Sequence, residues 1–313
     1  MTQCLYHNPR LEGELCDRLY TATGCDPHSP MVARRIQEAA AIFQSGCGTL
    51  FALAGAVSDF SLERGYPVSF RGRAGSLLVS HLLGIAQNNP MDLGIPWQGA
   101  FSPAGRISRI SLNVAPEVYP DVRGLLKELA ADCNVLWDIP GQPPYRVIFA
   151  PELYDTAHHY LTLDLYTHSL LGKVGDAAGA ADRLPRREEV LSPAFIKKVW
   201  EVDMWDAPIL EDIAPLRDFA PELAPSSFPD LTRLLALSLA PRWRWEDLDA
   251  PGVSLDSVIA TPEDVYDSLL ENGASREEAL AALRRAGDLY PRGQCAEYLT
   301  YALLLAWFRD RAH

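Results

Sequence analysis

A glycine turn that leads directly into an apolar run gives residues 68–90 the composition of a phosphate-binding loop. The run RGRAGS at 71–76, here called the Gly-Ser segment, precedes the apolar stretch Leu77 to Ile85. A helix that begins there would offer free backbone N–H groups at the positive end of its dipole, and an arginine would add charge. The same pattern is typical of an ordinary tight turn into a buried helix. The candidate anion-binding residues are Arg71, Gly72, Gly75 and Ser76.

The Gly-Ser segment and the run that ends at Asn89-Pro90 resemble the PolC-type alpha subunit of bacterial DNA polymerase III. Further blocks resemble the same family in the same order: RRIQEAAAIFQSGCGTLFALAGAVSDFSLERGYPV at 34–68, VIFAPE at 147–152, LTLDLYTH at 161–168, FPDLTRLLALS at 228–238 and DLYPRGQCAEYLTYALLLAWF at 288–308. The resemblance covers only the family's palm and part of its fingers. We therefore expect a truncated relative, without the exonuclease, the phosphoesterase-like domain, the oligonucleotide-binding domains, the thumb and the zinc-binding insert.

The family's catalytic carboxylates are mostly replaced in this chain. The resemblance implies two aspartates at alternate positions of one strand and a third on a neighbouring strand, which together hold two metal ions for phosphoryl transfer. In RISRISLNV at 106–114, Arg109 and Ser111 stand where the two strand aspartates belong. The third is retained as Asp164 in LTLDLYTH. Asp164 is thus the one catalytic position that the resemblance leaves intact.

The alternation of side chains predicts how these residues are arranged. Arg109, Ser111 and Asn113 share one face of their strand, while Thr162, Asp164 and Tyr166 share one face of theirs. A guanidinium about 4 Å from a divalent ion is repelled by roughly 8 kcal/mol at an effective dielectric constant near 20. We therefore expect Arg109 to pair with Asp164, and we predict no metal and no other cofactor.

Carboxylates from elsewhere could rebuild the site, and this alternative stays open. Glu117 and Asp121 follow the first strand, and Asp138 precedes VIFAPE. If they converge on Asp164, the chain would be an active DNA polymerase or nucleotidyltransferase that requires Mg²⁺. Otherwise Glu117 is a solvated or capping carboxylate.

The fingers motif has also changed. Where the family has Phe-Pro-Lys-Ala-His, this chain has Tyr290-Pro291-Arg292-Gly293-Gln294, so Arg292 keeps the positive charge and the imidazole is lost. Glu297 adds a negative charge at a position where the family is apolar. The resemblance implies Arg292 as a nucleotide-binding residue of a weakened site.

The charge balance argues against tight binding to DNA. The chain has 41 acidic and 28 basic residues and a net charge of −13, whereas nucleic-acid binders usually carry a basic face. The amino-terminal residues lack the apolar core of a signal peptide, and the longest apolar stretch, 298–308, is too short to span a bilayer. We expect a cytoplasmic protein that makes no membrane contact and binds nucleotides or DNA weakly or not at all.

Two Cys/His pairs, Cys4-x-x-His7 and Cys25-x-x-His28, could bind zinc, but their spacing fits none of the common templates. Four tryptophans would be the first candidates for anchors of a protein interface. They are Trp200, Trp205, Trp243 and Trp245.

The resemblance and the coarse pattern together predict an α/β fold. We expect a polymerase-beta-like nucleotidyltransferase palm over residues 1–173, a linker over 174–190 and a smaller, mainly α-helical fingers-like domain over 191–313. An apolar stripe predicts the buried face of a helix near residues 31–45. Its members are Met31, Val32, Ile36, Ala39, Ala40 and Phe43. Thr261-Pro262-Glu263-Asp264 and Ser275-x-x-Glu278 predict two later helix starts.

Three hypotheses follow from these observations. The one we favour is a catalytically inactive homologue that acts by protein binding, or by weak nucleotide or DNA binding, with a partner from replication or mobile-element machinery. The second is an active metal-dependent enzyme with a rebuilt carboxylate site, and the third is an unrelated structural or interaction protein whose similarity to the family is chance.

Overall fold

The chain was analysed as a computed structural model, which describes residues 8–23, 26, 28–103, 105–107, 109–129, 135–136, 145–149, 161–181, 183–201, 213, 215–216, 218–219, 223–241, 245, 248, 253–286 and 289–312. Its contacts divide the chain into two compact units. The N-terminal unit comprises Met1–Met91 and Ala100–Gly175, and the C-terminal unit comprises Asp92–Gly99 and Asp176–His313.

One mixed sheet lies at the centre of the N-terminal unit. Its strands are β1 (Ser69–Arg71), β2 (Arg109–Val114), β3 (Val135–Leu136), β4 (Tyr145–Phe149) and β5 (Leu161–Thr167). They lie in the order β1-β2-β5-β4-β3. The central pair, β2 and β5, is parallel, and the other neighbours are antiparallel. The parallel pair places the two strands with the candidate catalytic positions side by side.

The apolar face of the sheet forms the core of this unit. Leu112, Leu163 and Leu165 are fully buried, and they alternate with polar residues along their strands as the sequence predicts. The helix α3 packs against both β2 and β5. Because α3 is apolar around its whole circumference, it is buried along most of its length.

Helices of the N-terminal unit precede the strands or lie between them along the chain. They are α1 (Pro9–Thr23), α2 (Pro30–Gln44), α3 (Gly48–Leu62), α4 (Leu78–Leu82) and α5 (Tyr119–Leu129). A sixth helix, α6 (Ser169–Ala180), follows β5 and extends beyond the division after Gly175.

The predicted apolar stripe of α2 is wrong in its phase. The buried residues of α2 are Val32, Arg35, Glu38 and Ile42, whereas Ile36 is 55% exposed. The cause is two buried charged side chains. Arg35 donates to the carbonyl oxygen of Leu19, and Glu38 accepts hydrogen bonds that are described below. These interactions rotate the polar side of the helix inward.

The C-terminal unit is helical over its described residues. Its helices are α7 (Arg187–Val190), α8 (Pro193–Glu201), α9 (Phe228–Leu239), α10 (Pro262–Glu271), α11 (Arg276–Arg285) and α12 (Arg292–Ala312). The predicted starts of α10 and α11 are confirmed. Thr261 and Ser275 each accept from the backbone N–H three residues later, and Asp264 and Glu278 return the bond.

The chain is α/β, as predicted, and its organisation differs from the prediction in two respects. The stretch 174–190, expected to be a linker, contains the end of α6 and all of α7, and its side chains Val174 and Val190 are buried. Residues 92–99 belong with the C-terminal unit although they lie within the predicted first domain. Among the described residues, no single helix is long and apolar enough to cross a bilayer, and only a pair bent by 117°, α2 with α3, meets those criteria jointly.

Candidate functional site

One face of the sheet is lined by polar side chains, and it carries the candidate catalytic positions. We call it the polar face. It consists of Ser69, Arg71, Arg109, Ser111, Asn113, Thr162, Asp164 and Tyr166. The register pairs Ser111 with Asp164 across the parallel strands and Ser111 with Arg71 across the antiparallel ones. The sequence reasoning therefore placed Arg109, Ser111 and Asp164 correctly on one face.

Arg109 pairs with Asp164, as expected. The Nε atom of Arg109 lies 3.6 Å from Oδ2 of Asp164, whose side chain is completely buried, while the Arg109 side chain is 57% exposed. On the next strand, Arg146 is the register partner of Asp164. Among the described side chains of this face, Asp164 is thus paired with Arg109.

Magnesium does not fit this set of residues. The ion needs several hard oxygen ligands, and the candidate positions offer one carboxylate, one hydroxyl and one guanidinium. Among the described residues, no group of three or more His, Cys, Asp and Glu side chains could hold a metal ion. No catalytic step through a metal can be derived from these residues.

The remaining members of the polar face form two further contacts. The amide nitrogen of Asn113 donates to the hydroxyl of Ser69 at 3.0 Å, and both side chains are buried. The guanidinium of Arg71 lies 4.4 Å from the ring centroid of Tyr166, a cation–π contact. Burial and the charge of Arg71 lower the pKa of the nearby His168 below its ordinary value.

The helix after the Gly-Ser segment has an internal anion at its start, and nucleotide binding by the segment stays a prediction. The helix after it, α4, spans only Leu78–Leu82, much less than the predicted apolar run. The backbone N–H of Val79 donates to the carboxylate of Glu38 at 3.0 Å, and this carboxylate also accepts from Nε of Arg34 at 2.8 Å. Glu38 therefore occupies the position that a phosphate would take.

Two glycines of the segment have structural reasons to be glycine. Gly72 has φ of +80°, a conformation that residues with a Cβ atom seldom adopt. A Cβ atom on Gly75 would overlap the ring of Phe70, which packs directly on the backbone there. Ser76 is buried within the turn Ala74–Ser76, and its hydroxyl has no hydrogen-bond partner.

Two of the carboxylates that could rebuild a metal site, Glu117 and Asp121, contact residues other than Asp164. The carboxylate of Glu117 lies against Gly172 of α6. That of Asp121 is 3.9 Å from Nε of Arg64. Asp138 lies outside the described residues, so its position as a candidate ligand stays a prediction.

Arg292, the candidate from the fingers motif, is held by contacts inside the C-terminal unit. Its guanidinium donates to Asp264 at 2.8 Å, to Asp267 at 2.9 Å and to the carbonyl oxygen of Leu93 at 3.0 Å. Its backbone N–H donates to the buried carboxylate of Glu263 at 2.8 Å. Arg292 thus links α10 to α12, and its role in binding a nucleotide stays a prediction.

The four tryptophans predicted as interface anchors are not all at the surface. Trp245 is buried, and its ring N–H donates to the carbonyl oxygen of Leu237 at 2.9 Å, so it is a core residue. Trp200 is partly buried. The other two tryptophans, Trp205 and Trp243, lie outside the described residues. So do Cys4, His7 and Cys25 of the considered zinc pattern.

Sequence reasoning missed Glu38 and Arg34. Both lie on α2, where the apolar residues were taken to define the buried side. A basic and an acidic residue four positions apart on a helix ordinarily form an exposed pair. The signal that could have found Glu38 is the absence of a capping side chain ahead of α4, where Leu77 is the N-cap.

Comparison with known proteins gives no assignment. No protein-family model matches the chain. No curated protein matches it significantly.

Proposed function

We propose that the N-terminal unit is a degenerate polymerase-beta-like palm related to the PolC-type alpha subunit, and that the protein acts by binding without catalysing phosphoryl transfer. The observation that carries the proposal is the ion pair between Arg109 and Asp164. It stands at the positions where the family resemblance expects carboxylates that hold metal ions.

The electrostatics of the polar face support loss of catalysis. Two-metal phosphoryl transfer needs negative charge at the metal positions to concentrate the cations. Here Arg109 supplies positive charge and Ser111 supplies a neutral hydroxyl beside the single carboxylate, Asp164. Restoring a metal site would require removing the guanidinium and adding at least one carboxylate.

The charge of the chain supports a role in binding other than tight attachment to DNA. A net charge of −13 opposes sequence-independent binding to a polyanion. An acidic chain that resembles the PolC-type alpha subunit is compatible with a protein partner from replication or mobile-element machinery. Nucleotide or DNA binding, where it occurs, is expected to be weak.

The experiment is calorimetric titration of dATP in the presence of MgCl₂. Wild type is compared with the double variant Arg109→Asp/Ser111→Asp, which restores the family's carboxylate pattern beside Asp164. A triple variant that also carries Asp164→Asn is the matched control, since it keeps the added carboxylates and removes the third ligand. Circular dichroism verifies that each variant is folded.

We expect no magnesium-dependent heat from wild type, a gain of binding in the double variant and its loss in the triple variant. Magnesium-dependent dATP binding by wild type, together with primer extension, would overturn the proposal and restore an enzymatic role.

A further inference from the structure

Two arginines flank Ser111 on the polar face. Arg71 is the register partner of Ser111 on β1, and Arg109 precedes Ser111 by two residues on β2. Diagonal neighbours in an antiparallel pair have Cα atoms about 7–8 Å apart, so two long side chains at this spacing can reach one small ligand. The two arginine positions therefore flank Ser111, while the guanidinium of Arg71 lies over the Tyr166 ring and that of Arg109 lies beside Asp164.

Positive charge exceeds negative charge at this point. Asp164 is the only carboxylate among the described members of the polar face, and it already pairs with Arg109. Arg71 is exposed and lies over the Tyr166 ring, and among the described residues no carboxylate forms an ion pair with it. In a chain with a net charge of −13, a local excess of cations attracts small anions to this point of the surface.

A buried hydroxyl beside Arg109 gives an independent indication. Thr162 is the register partner of Arg109, it is 8% exposed, and its Oγ1 has no hydrogen-bond partner. Buried polar atoms without a partner are uncommon in native structures, and an anion beside Arg109 could accept the hydrogen bond that this hydroxyl can donate. A second such hydroxyl, Ser76, lies in the turn that packs against β1 and β2.

We infer that the polar face binds a small oxyanion of the phosphate class without any metal, held over Ser111 by the guanidinium groups of Arg71 and Arg109. Arginine suits this ligand because its planar fork can donate two hydrogen bonds to adjacent phosphate oxygens. The inference rests on the proposed function, because a divalent ion at Asp164 would exclude Arg109 from this position. It adds the chemical class of the ligand and the two residues that recognise it.

Titration of sodium pyrophosphate in excess EDTA tests the inference, with binding followed by calorimetry on the full chain. Wild type is expected to show saturable binding that weakens as NaCl is added. Arg71→Gln is expected to weaken it about tenfold or more, the loss of one charge-assisted hydrogen bond. Because Arg71 is exposed, this variant should fold. Arg109→Lys keeps a cation beside Asp164 and should also bind more weakly, because a lysine cannot donate the paired bonds.

Arg10→Gln is the matched control. Arg10 is an exposed arginine of the same unit, it pairs with Glu14, and its loss changes the net charge by the same amount. Binding equal to that of wild type is expected. Absence of saturable binding in EDTA, or equal weakening by Arg71→Gln and Arg10→Gln, would overturn the inference. Neither result depends on the titration of dATP with MgCl₂. If pyrophosphate does not bind, the proposed loss of catalysis is therefore still tested separately by that titration.

Discussion

The carboxylate of Glu38 accepts a hydrogen bond from the backbone N–H of Val79, at 3.0 Å, near the start of α4. Glu38 is fully buried, and Arg34 pairs with it at 2.8 Å from the preceding turn of α2. A helix start that resembles a phosphate site in sequence is therefore satisfied by an internal anion. Burial raises the pKa of Glu38, while Arg34 and the backbone N–H groups act in the opposite direction.

Replacement of Glu38 by Ala is expected to destabilise the N-terminal unit by about 3 kcal/mol or more, because it leaves Arg34 buried without its carboxylate. It also leaves a backbone N–H of α4 without an acceptor. Urea denaturation followed by circular dichroism measures the free energy of unfolding. Glu14→Ala is the matched control, since Glu14 forms the same kind of pair with Arg10 on an exposed surface, worth about 0.3–0.5 kcal/mol. Equal losses in the two variants would contradict a structural role for Glu38.

The polar face was predictable because it depends on a local rule. Side chains alternate along a strand, so Arg109 and Ser111 had to share one face, and Asp164 had to share a face with Thr162. The caps of α10 and α11 were predictable for a similar reason, since each cap involves residues within one turn.

The occupant of the helix start at α4 was not predictable, because it comes from a distant part of the chain. The absence of a capping side chain at Leu77 indicates that α4 needs an acceptor from elsewhere, but it does not identify Glu38, which lies 41 residues before Val79. The same holds for Gly75, whose lack of a side chain is explained by Phe70 in the folded unit. The contacts of Arg292 with Asp264 and Asp267 could not be predicted either, because these residues approach each other only in the tertiary structure.

Removal of the guanidinium at Arg109 is expected to reduce stability because the buried carboxylate of Asp164 would lose this ion pair. Since the Arg109 side chain is more than half exposed, solvent screens part of the interaction, and we expect a loss of about 1–3 kcal/mol for Arg109→Met. The combined variant Arg109→Met/Asp164→Asn should lose less than the sum of the two single variants. Additive losses, measured by urea denaturation, would show that the pair contributes no coupling energy.

The pH dependence of stability is expected to report on His168. Its pKa is lowered in the folded chain by burial and by Arg71, so the unfolded chain binds the proton at a higher pH than the folded chain. The contribution of His168 is therefore fully present above the unfolded pKa of about 6.5 and is lost as the pH falls below it.

The variant His168→Asn tests this pH dependence. Asparagine can still accept from the backbone N–H of Leu170, as Nδ1 of His168 does. Below pH of about 6.5, the free energy of unfolding should fall less steeply with acidification in this variant than in wild type. His28→Asn, at an exposed histidine, is the control, and it should reproduce the slope of wild type. An unchanged slope in His168→Asn would rule out His168 as the source.

Gly75→Ala is expected to destabilise the chain by about 1–3 kcal/mol, because the added methyl group would overlap the Phe70 ring within a packed turn. Gly72→Ala is the matched comparison: it introduces strain at a positive φ but meets no atom within 4 Å. Replacing the aromatic ring by a smaller side chain, in Phe70→Leu, should recover part of the stability lost in Gly75→Ala. It should recover none of the stability lost in Gly72→Ala. Thermal denaturation of wild type, the three single variants and the two double variants would measure these couplings. If Phe70→Leu relieved neither loss, contact with the Phe70 ring would not be the reason for glycine at position 75, and a direct role of Gly75 in ligand binding would regain support.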